Sequence, residues 1–268
     1  EAVILKGQDD EMPELPEVET LCRQLRASVL GDEIKSVRIC DDKLRGLENF
    51  AGRIITQVRR SGKTILIDLD DSKSVVIHLR MTGRLLLHSD RKKHPHSRLR
   101  LVLGGRSLEL IDPRRFATVK VTETSAVTAA NDLLEGFKMR EFIENHAGRK
   151  VSVKALLMDA RAIAGIGNIY ACEILHAAGI LPETRAEGLS YGQWRDVIKQ
   201  ARRILKKGIQ KRGTSVSDWR DLYGRPGENQ HELKVYGRDG QNCFRCGGNI
   251  IRVKHSGRGT YYCPECQK

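Results

Sequence analysis

Four of the seven cysteines crowd the C-terminal end as Cys243-x2-Cys246, sixteen intervening residues, then Cys263-x2-Cys266. Two Cys-x2-Cys knuckles at that separation can close a tetrahedral thiolate site, the pattern of one structural Zn2+. The segments Asn249 to Val253 and Thr260 to Tyr262 read as two strands joined through a basic tip, Lys254-His255-Ser256-Gly257-Arg258-Gly259. A hairpin this small cannot bury a core of its own, so the metal would substitute for one. Cys22, Cys40 and Cys172 are scattered and read as small buried hydrophobes. An odd cysteine total and a start without hydrophobic leader character point to a reducing cytosol, where clustered thiols serve metals rather than disulfides. A metal ribbon alone names no reaction.

The 268 residues are long enough for about two domains with a core to bury. Lys and Arg number 47 against 34 Asp and Glu, a formal charge of +13. Such an excess favours a polyanion, because cationic side chains release the counterions condensed on phosphates. Nucleic acid leads the candidate partners, ahead of a ribosomal role, an anionic membrane surface or a merely basic exterior. No apolar run approaches the roughly 18 residues of a membrane span.

Between Glu14 and Leu30, Val18, Leu21, Leu25 and Val29 recur at helical spacing, with Pro16 in the first turn where a missing N–H costs nothing. Short Val-, Ile- and Leu-rich runs follow: Ile34 to Ile39, Ile54 to Val58, Thr64 to Leu69, Ser74 to Leu79, Arg84 to Leu87, Arg98 to Leu103, Ser107 to Ile111 and Ala117 to Val121. These predict an antiparallel sandwich or barrel of about eight strands. Helical patterning takes over from Asp132 to about Lys211, and its last helix, Tyr191 to Lys211, carries seven Lys or Arg that read either as a solvated face or as phosphate contacts. The expected fold is therefore α+β and multidomain: an N-terminal helix and β-sandwich over 12–124, a linker at 125–131, a helical domain over 132–234 and a zinc-binding hairpin over 235–268. The turn Gly165-Ile166-Gly167-Asn168, between two helical segments, reads either as a phosphate site at a helix N-terminus or as a tight inter-helix turn. The stretch Met12-Pro13-Glu14-Leu15-Pro16-Glu17 reads on its own as an acidic helix start.

Six stretches taken together carry more: MPELPEVET, IHLRMTG, DPRRF, GIGNIYACE, VYGRDGQNC and HSGRGTYYCPEC. In this order, from Met12 to the end, they resemble the bacterial formamidopyrimidine-DNA glycosylases. The resemblance implies a helix on a β-sandwich, a helix-two-turns-helix domain and a zinc finger, in a monomer of the bacterial cytosol. It implies removal of oxidised purines from double-stranded DNA, action at abasic sites, and strand cleavage by β,δ-elimination. Carried over residue by residue, it makes Pro13 the amine nucleophile, Glu14 the acid/base, Glu17 a supporting carboxylate, and Lys63 and Arg258 further catalytic groups, Lys63 near the lesion phosphates and Arg258 gripping the backbone. His78, Asn168 and Tyr236 match backbone-gripping positions, with Lys154 and Lys254 counted among the DNA contacts. Met81, Arg114 and Phe116 match the trio that fills the gap left by an everted nucleotide, a device that offsets the cost of unstacking. The segment Gly213 to Gly227 takes the place of a flexible lesion-capping loop.

Three departures stand out. Residues 1–11, EAVILKGQDDE, precede Met12 and would lock the nitrogen of Pro13 in a peptide bond; they are expected to be upstream or non-native sequence. Ala129-Ala130-Asn131-Asp132 replaces the usual Leu-Gly-Pro-Asp, and Ala160 stands where Gln is common. A related enzyme of the endonuclease VIII type, acting on oxidised pyrimidines, and a non-catalytic lesion-binding protein are the alternatives.

Overall fold

The computed structural model describes residues 12–89, 94–127, 131–216 and 218–268. Residues 1–11 and Ala129-Ala130, two of the departures noted above, lie outside the described residues. The first helix, α1 (Leu15–Val29), begins one residue inside the expected range, with Pro16 in its first turn and Val18, Leu21, Leu25 and Val29 all buried. Eight strands follow among the described residues: β1 (Ser36–Ile39), β2 (Ile55–Ser61), β3 (Thr64–Leu69), β4 (Lys73–His78), β5 (Arg84–His88), β6 (Ser97–Leu103), β7 (Arg106–Ile111) and β8 (Thr118–Glu123). They form two antiparallel sheets, ordered β1-β6-β7-β5 and β2-β3-β4-β8. Leu99, Leu101 and Leu103 at every second position of β6, and Leu108 and Leu110 on β7, turn one sheet face into a core shared with α1.

The second half is less continuously helical than its patterning suggests. The first helix after the linker, α2, is one short turn (Met139–Phe142) that widens into a π-turn over Ile143–Ala147. Next come α3 (Val153–Met158), α4 (Asn168–Ala178) and α5 (Tyr191–Gln210). Irregular chain occupies 159–167, where the backbone must turn sharply at Gly165 (φ +100°). The chain closes with the hairpin β9 (Ile251–His255) and β10 (Arg258–Tyr262). Its strands run further than expected, so the turn is only Ser256-Gly257, both at positive φ, as a two-residue hairpin turn requires. Tyr236, Ile250 and Tyr261 pack into the same core as Trp194 and Tyr170, so the hairpin shares the interior of the helical region.

Cys22 and Cys172 are buried as expected, whereas Cys40 is only half-buried at the end of β1, where the edge strand leaves it partly uncovered. Buried Arg60 on β2 joins the two halves by pairing with Glu19 on α1 (3.0 Å) and with Asp132 after the linker. Ala160 lies on the surface.

Candidate active site

Pro13 sits where α1 begins, on the wall of a cleft that also includes Met81, Thr82, Thr214 and Trp219. The next residue, Glu14, is buried, and its side chain crosses to the other half of the molecule. There its Oε2 accepts the backbone N–H of Gly167 and its Oε1 that of Ile169 (2.9 Å). These amides belong to the N-terminal end of α4, so the anion held by this helix end is the carboxylate of Glu14. Two of the amides that the phosphate reading of the Gly165 to Asn168 turn would use, those of Gly167 and Ile169, are therefore occupied by this carboxylate. Gly167 is required here, since a Cβ would lie 2.4 Å from Glu14 Cδ and 2.7 Å from Lys63 Nζ. A Cβ on Gly165 would likewise strike Leu15.

Glu17 lies one turn along α1. Its Oε2 accepts the N–H of Glu14 (2.9 Å), while its Oε1 accepts the Tyr170 hydroxyl (2.8 Å) and the N–H of Thr214 (2.7 Å). Burial pushes the Glu14 carboxyl up to about 7; nearby Lys63 opposes the shift and Glu17 adds to it. Burial raises Glu17 as well, against the bonds it accepts from Thr214 and Tyr170. Lys63, in the tight turn between β2 and β3, is half-buried. Its ammonium is held below its usual range by burial, with the Glu14 charge opposing and the charge of Arg258 adding to the depression. Pro13, Glu14, Glu17, Lys63 and Arg258, drawn from α1, the β2–β3 turn and the hairpin, thus converge on one place. A carboxyl near 7 beside an ammonium of lowered pKa is the arrangement that acid/base chemistry at neutral pH needs.

The sandwich also presents two loops. His78, at the end of β4, is half-buried, and burial together with Arg80 and Lys63 depresses its imidazole to about 4. Its Nδ1 accepts the N–H of Arg80 (3.1 Å). Met81 follows, half-buried in the cleft wall. Arg114 and Phe116 project from the loop before β8; the ring of Phe116 is 42% exposed and the guanidinium of Arg114 lies 4.6 Å from its centroid. Arg80 and Arg115, beside these residues, have φ of +55° and +58°, a costly backbone state for residues with side chains. Buried Asp112 holds both loops: it accepts the Thr82 hydroxyl and the N–H groups of Arg114 (3.2 Å) and Ala117 (2.7 Å). Asp112 was not legible as a positioning residue, because DPRRF shows only that an acid precedes two arginines.

On the facing side, Asn168 Nδ2 donates to the carbonyl of Gly259 (2.9 Å), joining α4 to the hairpin beside exposed Arg258. Lys254 is exposed on β9. Two expected DNA contacts lie elsewhere than on the surface. Lys154 is only 2% exposed, its ammonium donating to the Thr260 hydroxyl (2.6 Å), because the first turn of α3 packs under the hairpin. Tyr236 is buried with its ring 4.6 Å from that of Tyr261. The segment from Gly213 to Gly227 is pinned in its described second half: Trp219 and Leu222 enter the sandwich core, and Asp221 accepts bonds from Gln24 (3.0 Å) and Arg212 (3.2 Å).

The four cysteine sulfurs lie within 4.8 Å of one another, with Cys243–Cys266 at 3.8 Å and Cys246–Cys263 at 3.5 Å. A tetrahedron of thiolates about 2.3 Å from a zinc ion has edges of about 3.8 Å, so the set fits such an ion. The N–H of Arg245 reaches Cys243 Sγ (3.4 Å), and His176 Nε2 stands 3.4 Å from the same sulfur. Sequence reasoning missed His176 and also Glu173, whose buried carboxylate accepts the N–H groups of Lys234, Val235 and Tyr236 at 2.8 to 3.0 Å. An acid inside the otherwise apolar run IYACEIL was the available signal.

Family models match in the same order as these modules: the formamidopyrimidine-DNA glycosylase N-terminal domain over residues 12–119, the helix-two-turns-helix domain over 128–219, and the zinc finger found in these glycosylases and isoleucyl-tRNA synthetases over 240–268. That succession defines a class of DNA-repair glycosylases. The formamidopyrimidine-DNA glycosylase of Carboxydothermus hydrogenoformans is 40% identical across 96% of this chain and all of its own length. The Lactococcus lactis enzyme solved with DNA containing Fapy-dG superposes with a TM-score of 0.86 at 30% identity, over 95% of this chain and 100% of that one. The same enzyme solved with DNA containing an oxidised pyrimidine gives 0.87 at 30% identity, over 96% and 100%. The chain belongs to the formamidopyrimidine-DNA glycosylase family.

Proposed function

We propose that this protein is a bifunctional DNA glycosylase and AP lyase, acting as a monomer in the bacterial cytosol on double-stranded DNA that carries oxidised purines or abasic sites. The observation that carries the reading is the buried Glu14 carboxyl, raised to about 7, beside Pro13 and facing Lys63. With Pro13 as the first residue, its secondary amine attacks the anomeric carbon of the deoxyribose as the bond to the base breaks. A chain-terminal amine titrates near 8, so a useful fraction carries its lone pair at neutral pH, whereas an amide nitrogen does not. Protonated Glu14 gives its proton to the sugar ring oxygen as the ring opens to the Schiff base. Loss of a proton from the neighbouring carbon then expels the 3′ phosphate, and a second elimination expels the 5′ phosphate. Lys63, Arg258, His78, Asn168 and Lys254 serve the phosphates, while Met81, Arg114 and Phe116 enter the stack where the nucleotide leaves it. One Zn2+ on the four cysteines would hold the hairpin that presents Arg258.

Borohydride reduction tests this reading. Protein whose chain begins at Pro13 is expected to form a covalent adduct with an 8-oxoguanine:cytosine duplex, and protein carrying residues 1–11 is expected to form none. Adduct from neither would leave a non-catalytic lesion binder. The same relative crystallised with Fapy-dG was also crystallised with an oxidised pyrimidine, which keeps open a second reading, an enzyme that acts on oxidised pyrimidines. Competition between oxidised-purine and oxidised-pyrimidine duplexes separates the two.

A further inference from the structure

The outer face of the β1-β6-β7-β5 sheet carries a cluster that DNA chemistry does not use. Leu108 and Leu110 of β7 face the core, so Glu109 between them points to the opposite face. Yet Glu109 is 0% exposed. Its cross-strand partners are Leu86 on β5 and Arg100 on β6, and His88, two residues beyond Leu86, lies on the same face. His88 Nε2 and Glu109 Oε2 are 2.9 Å apart. His94, from the connection between β5 and β6, brings its ring to 4.7 Å from that of His88, nearly perpendicular to it. Among the described residues, Glu109 Oε1 and His88 Nδ1 are buried without a hydrogen-bond partner. A buried carboxylate oxygen left idle is costly, and such exceptions call for a missing ligand.

We propose that His88, His94 and Glu109 form a second metal site, for a divalent ion of the zinc class, in a different module from the four cysteines. One ligand atom from each residue lies within 4.8 Å of the others. Contraction of the widest pair by at most about 1.4 Å gives the edges of a tetrahedral nitrogen and oxygen site. Two imidazoles and one carboxylate are a set that zinc accepts, with water as the fourth ligand. Bound there, the ion ties the β5–β6 connection to the end of β5 remote from Arg84, the residue by which this strand reaches the cleft.

The test is a zinc titration of the full chain already loaded at its four cysteines, followed by calorimetry and elemental analysis. One further equivalent is expected, and it should vanish in His94→Ala and in His88→Ala while the first equivalent stays. Co2+ added to the same loaded protein should give d–d absorption without thiolate charge transfer. A wild-type chain that takes no second equivalent overturns the proposal. So does a second equivalent that survives His94→Ala, or Co2+ that shows thiolate bands. His94 is half-buried in a connection, so its alanine variant is expected to fold, which an unchanged circular dichroism spectrum would verify.

Discussion

Of the two walls that meet at Pro13, one is a sandwich closed by Ile65, Ile67, Val75, Ile77, Leu99, Leu101 and the buried face of α1. The other ends in a hairpin whose interior is completed by α4, by Tyr236 and Tyr261, and by a four-cysteine cluster. The sandwich can hold Arg80 and Arg115 in costly backbone states, because sheet pairing and the Asp112 bonds fix the loops around them. The hairpin holds Arg258 only as firmly as its borrowed supports allow. One wall therefore holds its loops through its own bonds, and the other depends on attachment.

The sharpest way to divide the walls is Glu14→Gln, which keeps the shape but removes the acidic proton. Turnover on a lesion duplex is expected to fall by about 10²- to 10⁴-fold while DNA affinity changes little. Equal losses of both would mean that the wall of α1 also grips. The same carboxyl predicts a pH signature. Its folded pKa, about 7, stands above its ordinary 4.5, so the folded state binds more protons between these values and stability falls as pH rises through that window. Denaturant melts from pH 4.5 to 7.5 should show the decline, weakened in Glu14→Gln, and turnover that needs the protonated acid should drop above about pH 7.

Next in size is Cys263→Ser. It should release the metal and loosen the hairpin, lowering DNA affinity by about 10- to 100-fold, while the sandwich still melts cooperatively. Metal content and filter binding read the first two effects. Loss of the sandwich transition as well would show that the walls are one folding unit. Smallest is Arg258→Ala, expected to reduce the slope of log affinity against log salt by about one and the affinity by several-fold. An unchanged slope would remove Arg258 from the phosphate contacts.

Much of this arrangement was legible in the sequence where one residue's character decides the outcome. Strand β3 was read to the residue, because TILIDL is a short, mostly apolar run bounded by turn residues. The cysteine knuckles were legible because metal spacing is a local property. The interior of 132–167 was not, since apolar spacing records which residues are buried and not whether the chain between them is helical; Gly136, Gly148 and Gly165 break it. The site was half legible. Motifs pointed to Pro13, Glu14 and Lys63, but that Glu14 occupies the helix end at Gly167 depends on two segments more than 150 residues apart. Lys154 was misplaced for the same reason: an exposed-looking lysine at a helix start is covered by a hairpin about 100 residues later.

That long-range hold on Glu14 bears on how the protein is made. A chain emerging from the ribosome exposes Pro13 and Glu14 early, and Lys63 soon after. The amides of Gly167 and Ile169 arrive only when more than half of the polypeptide has been synthesised. An unfinished or prematurely stopped product has Pro13 and Glu14, but not the seat that keeps the acid buried and in place. The seating of this acid is in this sense scheduled by translation: it is completed late, when the second half closes on the first.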